Sequence, residues 1–139
     1  MPHIRSLLQP VLQHPAFRAT LKAAAEGPSE VILSGLTRAA KAMVVAGLAH
    51  ELRRPLVVLT ADNETAEHLE QTTSTFLEWL EGKAGAAVSA LPAFDCSPYE
   101  NRSPHGEIAE RRAVTLGNIG RGRTRILLVP LPAALGRFR

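Results

Sequence analysis

The chain is poor in the residues that do most chemistry. Cys96 is its single cysteine, which excludes an internal disulfide and any multi-cysteine metal site and makes the cytoplasm the expected compartment. Aromatic residues are 4% of the sequence, leaving little surface on which nucleic-acid bases stack. No apolar run approaches the roughly 20 residues that a membrane span needs. The opening stretch MPHIRSLLQPVLQ is broken by Pro10 and carries no signal-peptide cleavage pattern. His3, His14, His50, His68 and His105 form no H-x-x-H or H-x-x-x-H pair, so the usual ligand spacings of a zinc site are missing.

What is present is a core. Apolar residues make up 45% of the 139, enough to exclude disorder and to fill one domain with small and branched aliphatics. The formal charge of +3 collects near the C-terminal end, at Arg121, Arg123, Arg125, Arg137 and Arg139. Such a cluster is either a solvated flank of a strand or a contact for phosphate backbones.

Pattern along the chain alternates. Residues 1–27 read as a helical arm, with a first helix interrupted at Pro10 and a second carrying Pro15 near its start, Phe17 and Leu21 one turn apart, and Gly27 as its stop. Residues 28–139 then form the main domain. EVILSG is a buried-strand candidate, followed by a helix with Ala40, Met43, Val44, Gly47 and Leu48 on one stripe. LVVLT after Pro55 is a second strand. Asp62 caps a helix whose Ala66, Leu69, Phe76 and Leu80 share a face, with Trp79 at its rim.

AAVSAL is a weaker third strand. The loop PAFDCSPYENRSPHG, with Phe94 and Tyr99 as anchors, leads to a helix entered at Ser103-Pro104. That helix is expected to bury Ala109, Ala113 and Leu116 and to pair Glu107 with Arg111 at i, i+4. RILLVPL is the fourth strand. Strands alternating with helices predict a three-layer, doubly wound α/β domain with a mostly parallel sheet and right-handed crossovers.

The turn SGLTRAAKA raises the question of function. A phosphate loop reads G-x-x-x-x-G-K-[ST], because glycines let main-chain N–H groups close on phosphates, lysine neutralises them and a hydroxyl ligates magnesium. Here Gly35 and Lys41 stand in register, but Ala40 replaces the second glycine and Ala42 replaces the hydroxyl. Thr37 would be a substitute ligand only in a rearranged loop. The fourth strand ends LLVPLP, without the carboxylate that a hydrolase places there. The expectation is a vestigial phosphate loop, Gly35 and Lys41, with no catalytic, metal or cofactor residue in this segment. Cys96, with His105 the nearest candidate base, has no oxyanion-hole pattern beside it and reads as a packed thiol rather than a nucleophile.

Taken in order, VILSGLTRAAKAMVVAGLA, PLVVLTADNETAEHL, LPAFDCSPYENRSPHGEIAERRAVTLGNI and ILLVPLPAAL resemble the N-terminal segment of the bacterial transcription-repair coupling factor family, over about Val31 to Leu135. The loop with Pro98-Tyr99 and Ser103-Pro104-His105, followed by Arg111 and Arg112, is the most specific part.

The resemblance implies a helicase-like first domain similar to that of the excinuclease B subunit, with a degenerate Walker A turn and no ATP binding of its own. It implies a piece of a longer protein whose motor domains use ATP and Mg²⁺. That protein translocates on double-stranded DNA, releases stalled RNA polymerase and recruits the excinuclease A subunit. The segment itself is then a non-catalytic scaffold against other domains of the same protein, with an apolar face that favours self-association. The alternatives are an active helicase-class nucleotide site and a DNA-binding module built on Arg121, Arg123 and Arg125.

Overall fold

The computed structural model describes residues 2–83, 87–96 and 103–136, with side chains from Ile4 onward. Ser97 to Arg102, which include Pro98 and Tyr99, lie outside the described residues, as do Arg137 and Arg139. The chain divides into two compact units, one of residues 1–54 and 72–86, the other of residues 55–71 and 87–139.

The first unit begins with α1 (Pro2–Gln13) and α2 (Pro15–Glu26). α1 runs through Pro10, where an interruption was expected. Proline's fixed φ fits a helix, and its cost is the missing hydrogen bond. Leu12, two residues further on and 5% exposed, supplies the burial that holds the helix past it. α2 starts as expected: Pro15 occupies its first turn and His14 Nδ1 accepts the Ala16 N–H at 3.2 Å. It ends at Gly27, whose φ of +130° is open to glycine.

α3 (Arg38–Leu52) buries one broad face, through Ala42, Met43, Ala46, Gly47 and Ala49. Gly47 is where the first two helices meet α3. A Cβ there would stand 2.9 Å from Leu12 Cδ2 and 2.9 Å from Phe17 Cζ. Arg53 closes α3 in the left-handed conformation, and the Arg54 guanidinium donates to Ala24 O.

Residues 30–34, expected as the first strand, are not a strand. Val31, Ile32 and Leu33 are 45%, 83% and 36% exposed. An apolar run is only strand-competent; it becomes a strand when a neighbour pairs with it, and none does among the described residues.

The second unit holds a three-stranded parallel sheet in the order β1-β3-β2, built from β1 (Leu56–Thr60), β2 (Val88–Ala90) and β3 (Ile126–Pro130). Register sets Val58 beside Leu128 and Ala90 beside Leu128 on one face. The first turns of α4 (Asn63–Glu81) cover that face, with Ala66 and Leu69 packed on Val58, Val88, Ala90 and Leu128. Asp62 caps α4 as expected, its Oδ1 accepting the Thr65 N–H at 2.7 Å. On the opposite face Val129 packs with Ala93 and with Ala133 of α6 (Leu131–Ala134). Residues 72–81 of α4 belong to the first unit, where Thr73, Leu77 and Leu80 are fully buried and Phe76 meets Trp79 edge-on at 5.6 Å.

The structure is therefore mixed helix and strand with a small open parallel sheet, as the alternation predicts, with three strands rather than four. α5 (Gly106–Gly120) differs in two ways. It begins at Gly106 after His105, not at Pro104. Its inward residues are Arg112 and Thr115, while the expected stripe of Ala109, Ala113 and Leu116 faces solvent. Two carbonyls dictate that rotation: Thr115 Oγ1 donates to Ala90 O at 2.9 Å, and Arg112 donates to Pro92 O. Leaving those acceptors unpaired would cost more than exposing two alanines and a leucine.

Candidate functional site

The glycine turn lies in the first unit. Gly35 has φ +75°, the conformation in which glycine is the natural occupant. Two residues later Thr37 becomes the N-cap of α3. Its Oγ1 accepts the Ala40 N–H at 3.2 Å, and its carbonyl accepts the Lys41 N–H at 2.9 Å. The helix thus starts at Arg38, and Lys41 already sits within its first turns, exposed to solvent. The main-chain donors of Ala40 and Lys41 are used by the helix itself. Ala42 is 0% exposed, so its methyl points into packed protein.

The space around the turn is apolar. A cavity of about 540 Å³ is lined by Leu8, Val11, Phe17, Leu36, Ala40 and Met43 among others, with His14 and Ser34 its polar members. Lys41 is not among its lining residues. Gly35 and Lys41, the two positions that match the motif, therefore share the turn and helix start without both lining this cavity.

Carboxylates are likewise absent from the end of β3, which runs Val129-Pro130 into α6. Among the described residues no group of three or more His, Cys, Asp or Glu is placed to hold a metal ion. Cys96 is half-buried.

The second unit concentrates its polar chemistry between α4, α5 and the segment after β2. Asn63 binds both main-chain groups of Ala93, accepting its N–H at 2.8 Å and donating to its carbonyl at 3.1 Å. Asp95 Oδ1 accepts the His105 N–H at 3.2 Å. Arg112 donates to Pro92 O and lies over the Phe94 ring at 4.2 Å. Burial alone lowers its pKa, yet a guanidinium remains charged throughout the working range.

Arg111, expected to pair with Glu107, instead bonds Glu67 at 2.6 Å and Glu70 on α4. Its burial works against the charge, but those two carboxylates outweigh it and raise the pKa above the ordinary arginine value. Glu70 also accepts the Ala90 N–H at 2.9 Å through its other oxygen. A cleft of about 220 Å³ lies here, between Asn63, Glu67, Pro92, Glu107, Ile108 and Arg111. Sequence spacing gave no warning of these links, because each joins residues 20 or more apart.

The geometry thus defines a mixed α/β chain with a parallel sheet and a glycine turn closed by its own helix cap. No family model matches the chain. It is similar to two proteins described as transcription-repair-coupling factors: that of Myxococcus xanthus, 35% identical over 103 residues, and that of Escherichia coli (strain K12), 29% identical over 106 residues. The alignments take in 74% and 76% of this chain but 9% of each relative's length. This likeness supports the chain as a segment of a transcription-repair-coupling factor. No helix among the described residues is long and apolar enough to cross a membrane.

Proposed function

We propose that the chain is a non-catalytic scaffold module of a transcription-repair coupling factor, keeping a helicase-like α/β framework while its phosphate loop serves as an ordinary helix start. The carrying observation is the Thr37 cap. In a working loop the donors at the helix start face phosphate; here Ala40 N–H and Lys41 N–H are both taken by Thr37. Ala42 offers no metal ligand, and the neighbouring cavity is apolar. A triphosphate entering it would lose hydration against a lining in which only His14 and Ser34 carry polar side chains.

In this reading the longer protein carries the ATP and Mg²⁺ chemistry, translocates on double-stranded DNA, releases stalled RNA polymerase and recruits the excinuclease A subunit. The present module docks against other domains of that protein, and its setting is the cytoplasm. Titration calorimetry with Mg-ATP tests the assignment. The expected result is no saturable heat at millimolar nucleotide. Saturable binding that disappears in Lys41→Ala would establish the rival reading, an active helicase-class nucleotide site.

One observation favours a basic contact for DNA as a second reading: Arg121 and Arg123 are exposed on either side of Gly122, a left-handed turn with φ +65°. Arg125 is part-buried, so the described patch is narrower than the sequence suggests. Retardation of duplex DNA that falls steeply with salt and is lost on Arg121→Ala with Arg123→Ala supports it. Absence of retardation at low salt removes it.

A further inference from the structure

We draw no further inference here: the strongest candidate, the apolar cavity of about 540 Å³ that α1, α2 and the start of α3 form beside the glycine turn, stands open in a chain spanning 9% of the length of the relatives it matches, and nothing in the structure shows what covers it.

Discussion

Asn63 holds Ala93 by both of its main-chain groups, at 2.8 and 3.1 Å. The asparagine opens α4 and the alanine lies just past β2, so one side chain fixes the start of the long segment towards α5. The amide is suited to this because it carries a donor and an acceptor side by side. Asn63→Ala would strand both groups of Ala93 and is expected to destabilise the chain by about 2–4 kcal/mol. Asn63→Asp keeps the acceptor alone and should recover about half of that loss. Thermal melts of the two variants, with hydrogen exchange at the Ala93 amide, check the ranking.

Glu67 and Glu70 both meet Arg111, but they are not equivalent. Glu67 is the more exposed carboxylate, while Glu70 also accepts the Ala90 N–H of β2. Glu67→Gln should cost no more than about 0.5 kcal/mol, as a screened surface pair does. Glu70→Ala should cost about 1–3 kcal/mol, because a strand amide loses its acceptor. Added salt should shrink the first effect and leave most of the second. Denaturant titrations at two ionic strengths distinguish them.

Arg112 is 8% exposed and caps Pro92 O while its guanidinium covers Phe94. Arg112→Leu removes the guanidinium that donates to Pro92 O and should cost about 2 kcal/mol or more, whereas Phe94→Leu, at a half-exposed ring, should cost about 0.5–1 kcal/mol. If the two losses were equal, the cation–π contact rather than the carbonyl would be the main role of Arg112. Chemical denaturation of both variants decides.

Gly47 leaves no room for a methyl, since Leu12 and Phe17 would each lie 2.9 Å from it. Gly47→Ala improves helix propensity by about 1 kcal/mol yet overpacks the site by about 1–3 kcal/mol. The net expectation is a loss of stability, with the first two helices loosened more than α3. A melting temperature together with amide exchange in α2 reports both.

Much of this was readable from residues close together in the chain. The β-branched run after Pro55, the Asp62 cap and the Pro15 and Gly27 limits of α2 are decided locally, and they stand where the pattern puts them. The parallel sheet follows from the alternation of elements. Pairing was not readable. Val31-Ile32-Leu33 has a strand's composition but no described neighbour, and α5 turned its charged and hydroxylated side inward because two distant carbonyls needed donors.

The candidate site divides the same way. The two alanines in the glycine turn are visible in sequence, whereas the use of Thr37 as a cap depends on where α3 begins.

Ala42 sits at zero exposure, one residue past Lys41. Ala42→Thr would thrust a hydroxyl among close-packed side chains. A hydroxyl at this position therefore costs stability before it can serve any ligand, so the packing of a single methyl sets the chemistry open to the turn.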